Sequence, residues 1–120
     1  MRLLDEMFEM VSGDRQKAVL RLNASHPIYA IHFPGNPITP GVCIVQLLGE
    51  LLERHTAHTL ELSKIVNLKF VHPLSPTDTP LLTIDFSSVA TEGDTVHAKG
   101  TIEANGQVAT KFSLIFRCKE

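Results

Sequence analysis

Apolar residues at positions 3–11 fit two periods at once. Leu4, Met7, Phe8 and Val11 keep helical spacing, and the pattern alone leans to a helix. Ser12-Gly13-Asp14 is a turn signal, and Ala18, Leu20 and Leu22 then alternate with Lys17, Val19 and Arg21. Two strands joined by that turn would make a hairpin instead. Residues 23–40 show no period, and so long an irregular connection in a small domain is usually functional. From Val42 an apolar run (Cys43, Ile44, Val45, Leu47, Leu48, Leu51, Leu52) carries Gln46, Gly49, Glu50 and Glu53 at spacings of three and four. This reads as a buried helix with one polar stripe, over about residues 41–55.

Alternation returns at residues 60–71, where Val66, Leu68 and Phe70 interleave with Asn67, Lys69 and Val71. Three prolines break residues 73–80. Residues 81–89 read as a strand, Glu92-Gly93-Asp94 as a turn, and residues 95–104 as a strand. Asn105-Gly106 is the strongest hairpin signal, and residues 107–117 form the last strand. Two strands, a helix and four strands predict an α+β domain spanning residues 1–120, with about six antiparallel strands around one long helix. The helix covers one sheet face only, so an edge or face is left for a partner, and a dimer is expected.

Composition narrows the function. Hydrophobic residues make up 43% of the 120, a globular balance. Net charge is −2 and no run of basic residues appears, so no nucleic-acid partner is expected. Cys43 and Cys118 have no metal-type spacing, and neither do His55, His58, His72 and His97; no metal and no cofactor are predicted. Asp5, Glu6 and Glu9 interrupt the N-terminus, and no apolar stretch is long enough to cross a bilayer. A cytoplasmic protein is the expectation.

The chemistry concentrates in His32-Phe33-Pro34-Gly35-Asn36-Pro37-Ile38-Thr39-Pro40-Gly41-Val42. Three prolines stiffen this loop and hold one imidazole in place. The loop runs straight into the predicted helix, whose first N–H groups favour negative charge. A pinned histidine beside a helix start is suited to polarising a carbonyl. The bland alternative is a structural histidine that only caps the loop.

His-Phe-Pro-Gly-x-Pro-x-x-Pro-Gly-Val followed by a buried helix resembles the signature of the β-hydroxyacyl-acyl carrier protein dehydratases of type II fatty acid synthesis. These are hotdog-fold proteins. Phe70-Val71-His72-Pro73-Leu74-Ser75-Pro76-Thr77-Asp78 resembles a second stretch of that family, where a basic pair usually follows the Phe. The resemblance runs over about residues 4–116. It implies the strand reading at the N-terminus and a dimer with active sites at the subunit interface. It also implies an acyl thioester substrate, carried by acyl carrier protein or coenzyme A. His32 would be the base. The Gly41 N–H would hold the thioester oxygen, with Phe33, Pro40 and Val42 as further substrate-binding positions.

One departure changes the expectation. The family's acid, a Glu or Asp five residues after the Gly of Pro-Gly-Val, falls on Gln46. A carboxamide has no acidic proton to give. Glu50 stands one turn on, where the family commonly has Gln, about 6 Å along the axis. Ile31 also replaces the usual Gly before the histidine. Three readings follow. The first is a 3-hydroxyacyl-[acyl carrier protein] dehydratase-like enzyme using His32, with Gln46 or Glu50 at the hydroxyl. The second is a non-catalytic acyl-binding subunit, or a heterodimer partner completed by a Glu-bearing paralogue. A hotdog thioesterase, with Glu50 as its sole carboxylate candidate, ranks last. A homodimer or an oligomer of dimers is expected under the first.

Overall fold

A computed structural model describes residues 2–14 and 16–119. The elements are β1 (Phe8–Gly13), β2 (Lys17–Leu22), α1 (Ile28–Ile31), α2 (Gly41–Thr56), β3 (Leu60–Phe70), β4 (Leu81–Glu92), β5 (Thr95–Ala104) and β6 (Gln107–Cys118). All five strand pairings are antiparallel, in the order β1-β2-β4-β5-β6-β3.

The predicted long helix is α2, and its apolar positions decide where it lies. Cys43, Ile44, Leu47, Leu48, Leu51 and Leu52 are all buried, against an inner sheet face built from Leu20, Leu82, Ile84, Ala98, Ile102, Phe112 and Leu114. Each such leucine or isoleucine contributes about 1.5–3 kcal/mol by leaving water. The helix stops at Ala57, which takes a left-handed conformation and donates its N–H to the Glu53 carbonyl. The sheet folded around one helix is the hotdog arrangement.

Two segments differ from expectation. The first strand begins only at Phe8; before it, Leu3, Leu4 and Met7 sit in a turn, almost wholly buried. Their helix-like spacing reflects that turn, in which the Met7 and Phe8 N–H groups both bond the Leu3 carbonyl. The irregular stretch also contains the four-residue helix α1, too short to leave a periodic trace.

β3 forms one edge of the sheet. Its exposed residues include Leu62, Ile65, Val66 and Phe70. An eleven-residue edge strand with several exposed apolar side chains and open N–H and C=O groups is a template for pairing with another strand. Among the described residues, no helix is long and apolar enough to cross a membrane.

Candidate active site

His32 closes α1. Its N–H bonds the Ile28 carbonyl at 2.9 Å, and its own carbonyl accepts from Ile38 at 2.9 Å. The ring is held too: Nδ1 lies 3.0 Å from the Ile38 carbonyl oxygen. A carbonyl only accepts, so Nδ1 carries the proton and Nε2 is left with the basic lone pair. Phe33 stacks on the imidazole with centroids 4.1 Å apart. Behind the ring, Phe33 and Asn36 exchange backbone hydrogen bonds across a tight turn.

The far end of the loop is tied down as firmly. The Thr39 N–H donates to the Leu74 carbonyl at 2.8 Å, and its hydroxyl pairs with the Tyr29 phenol at 2.9 Å. Burial pushes the Tyr29 phenol above its ordinary pKa, so it remains a neutral partner. The loop thereby joins α1, α2 and the Pro73–Leu74 segment.

Pro40 is the N-cap of α2, extended and without a side-chain cap. The first-turn amides therefore have no partner from a capping side chain. Gly41 allows a close approach here: a Cβ at this position would stand 2.9 Å from the Phe70 ring. His32 and Gly41 line one cleft of about 360 Å³ with Ile44, Phe70, His72 and Leu74 among its other walls. The loop thus brings the histidine and the helix start together in a largely apolar recess. Phe70 and Leu74 come from the second sequence stretch, which the antiparallel β3–β6 pairing delivers to this point.

The remaining sequence-predicted residues stand elsewhere. Gln46 is exposed and, with Val42, Gly49 and Glu50, lines a separate cleft of about 530 Å³. Val42 is 77% exposed. Within one chain, then, His32 and Gln46 do not share a recess. Glu50 is only 2% exposed and its oxygens are engaged. They accept the Leu3 N–H at 2.8 and 3.1 Å, the Leu4 N–H at 3.0 Å and the Gln46 Nε2–H at 3.0 Å. Arg2 Nη1 stands 3.8 Å away. Glu50 holds the N-terminal segment against α2. Position along the helix suggested an alternative acid, but the N-terminal donors that occupy this carboxylate lie 46 and 47 residues away in sequence.

Among the described residues, no group of three His, Cys, Asp or Glu converges on a metal-sized site. Cys43 is buried, which pushes its thiol pKa up and marks it as a core residue.

Comparisons with known proteins agree with this architecture. The chain is 31% identical to the 3-hydroxyacyl-[acyl-carrier-protein] dehydratase FabZ of Acetivibrio thermocellus, over 95% of this chain and 82% of that protein. It is 29% identical to the FabZ of Oenococcus oeni, over 99% and 89%. Among solved structures, the dehydratase heterocomplex ApeI:P from Xenorhabdus doucetiae matches with a TM-score of 0.63 at 20% identity, over 92% of this chain and 95% of that one. A hypothetical thioesterase from Streptococcus pneumoniae with coenzyme A matches with a TM-score of 0.64 at 12% identity, over 93% and 85%. These last two similarities are of fold. The model of the ApeI-like dehydratases matches residues 9–111, and the chain belongs to that family.

Proposed function

We propose that this chain is a dehydratase-like protein that removes water from a 3-hydroxyacyl thioester to give the trans-2-enoyl thioester. The observation that carries the reading is the Nδ1–H···O=C bond from His32 to Ile38, which leaves Nε2 as a base beside the start of α2. Nε2 takes the proton from the carbon next to the carbonyl. The first-turn N–H of Gly41 stabilises the negative charge that develops on the thioester oxygen. The electron pair of the broken C–H bond forms the C2=C3 double bond. The hydroxyl leaves from C3 as water, taking a proton.

The source of that last proton separates two forms of the reading. Gln46 orients a hydroxyl but supplies no proton. In a homodimer, the His32 imidazolium formed in the first step is the group able to return it. In a heterodimer, the acid comes from a Glu-bearing paralogue that faces His32 across the interface. The neutral Gln46 favours the second form, and a related dehydratase is described as a heterocomplex. In both forms the exposed apolar edge of β3 is the proposed pairing surface, and the protein is taken to be cytoplasmic. The substrate is proposed to be borne by an acyl carrier protein or by coenzyme A, as the printed names of the relatives indicate for them.

The test is His32→Ala, assayed for enoyl product alone and with candidate paralogues. Turnover is expected to fall by ~10²–10⁴-fold with an unchanged melting temperature. Full activity in a folded His32→Ala protein would overturn the proposal.

A further inference from the structure

The recess that holds His32 contains a second imidazole. His72 lines the same cleft of about 360 Å³ as His32 and Gly41. The other lining residues carry no titratable side chain, so His32 and His72 are the two groups in this cleft suited to exchanging protons near neutrality. No carboxylate lines it.

Backbone hydrogen bonds cross-link the segments that carry the two rings. The Val71 and His72 N–H groups both bond the Ala109 carbonyl of β6, at 2.7 and 3.1 Å. Pro73 fixes the next φ. The Leu74 carbonyl then accepts from Thr39, in the same loop whose Ile38 carbonyl holds His32 Nδ1. His72 is thus carried on a segment tied to the His32 loop and not on a free turn. Its ring is exposed and, among the described residues, makes no hydrogen bond or ion pair. The ring nitrogens are open to a molecule entering the cleft.

The other proton donors are spent or stand elsewhere. Gln46 has no acidic proton and lines a separate cleft. Glu50 lines that separate cleft too, and its oxygens accept from Leu3, Leu4 and Gln46. The Tyr29 phenol is buried against Thr39, and burial makes it a weaker acid than usual. His32 itself has to face C2 to take its proton, whereas the C–O bond that breaks is on the next carbon. The sequence departs from the resembled signature at two places that bear on this step. The acid position is the neutral Gln46, and the basic pair after Phe70 is Val71-His72.

We propose that His72 is the general acid of this chain's own cleft, protonating the hydroxyl that leaves C3 while His32 takes the C2 proton. This rests on the dehydratase reading for the reaction, and it supplies the proton without Gln46 or a partner's carboxylate. The N–H bond of the protonated His72 ring breaks and its proton joins the departing oxygen. The C3–O electron pair stays with that oxygen, which leaves as water, and the C2–H pair becomes the C2=C3 bond. His72 ends neutral and His32 protonated. One proton lost from His32 to solvent and one gained by His72 restore the pair, so no further reactant is consumed.

The experiment separates the two proton transfers in the full chain. Water loss is followed with a 3-hydroxyacyl N-acetylcysteamine thioester. C2 proton removal is followed as deuterium uptake from heavy water by the matching saturated acyl thioester, which has no hydroxyl to lose. His72→Gln is expected to slow water loss by about 10²-fold and to change C2 exchange by less than about twofold, with an unchanged melting temperature. His32→Ala is expected to lose both reactions. In His72→Gly, added imidazole should restore water loss at least about tenfold, a response that a merely structural role would not give. Full water loss by His72→Gln overturns the proposal. So does a parallel fall of water loss and C2 exchange, which would make His72 a structural residue. A chain that loses no water from the thioester by itself, and gains this only with a Glu-bearing partner, overturns it as well. Failure of the dehydratase reading shows separately, as product formation that survives His32→Ala.

Discussion

The Gln46 carboxamide donates a 3.0 Å hydrogen bond to the Glu50 carboxylate one turn later on α2. The pair fixes which position carries charge. Its buried member is the anion and its exposed member is neutral, the reverse of what the family motif implies for these two positions. Replacing Gln46 alone with Glu would set two carboxylates against each other at i and i+4, where like charges repel. Exchanging both residues keeps the hydrogen bond and moves the acid outward. The double variant Gln46→Glu/Glu50→Gln is therefore expected to gain about a hundredfold in dehydration rate as a homodimer, while Gln46→Glu alone gains less and unfolds at lower urea. Enoyl formation and urea midpoints of the two variants check this.

Glu50 by itself is expected to matter for stability. Its carboxylate satisfies the Leu3 and Leu4 N–H groups in a buried setting. Glu50→Ala leaves those donors without partners and should cost about 2–4 kcal/mol, read as a lower urea midpoint. Turnover per folded molecule at low temperature should hold. A variant of full stability whose rate falls by ~10²-fold would instead identify Glu50 as the acid.

How much of this was legible follows from how local each signal is. The α2 helix and the β4–β5–β6 meander are written in short-range periods and in Asn105-Gly106, and they appear where those periods put them. The loop from His32 to Gly41 was visible as a proline-stiffened unit. The partners that make it a site were not: the Ile38 carbonyl that sets the His32 tautomer and the Leu74 carbonyl that anchors Thr39 depend on folded geometry. The N-terminal turn has no local signal of its own, because Leu3 and Leu4 are held by Glu50, 47 and 46 residues away.

Gly41 and Phe70 are expected to behave as one unit. A Cβ on Gly41 would press on the Phe70 ring at 2.9–3.0 Å, and that ring is half-exposed and free to yield. Gly41→Ala should therefore leave the melting temperature nearly unchanged but disturb the mouth of the His32 cleft. A fall in kcat/KM of about tenfold is expected. Phe70→Ala on top of Gly41→Ala should recover part of it by removing the obstruction. Additive losses in the double variant would show that the two residues act independently.

At Gly100 the neighbour cannot yield, and the opposite outcome is expected. This residue is opposite Phe86 on β4 and Phe112 on β6, whose rings meet edge to face at 5.7 Å. A Cβ there would collide with the Asp85 backbone carbonyl and lie 2.8 Å from the Phe112 ring. The carbonyl belongs to the β4 backbone, and the ring is packed in the core, 3% exposed. Relief would require β4 and β5 to part beside the bulge that lies between Phe86 and Ser88. Gly100→Ala should thus destabilise the fold by about 2–4 kcal/mol, through overpacking rather than through any change in helix or turn propensity. Thermal melts read the loss directly. A second change, Phe112→Leu, would relieve the ring contact but not the carbonyl contact, so it should restore less than half of the lost stability. Full rescue by Phe112→Leu would mean that the aromatic ring, and not the strand backbone, sets the requirement for glycine.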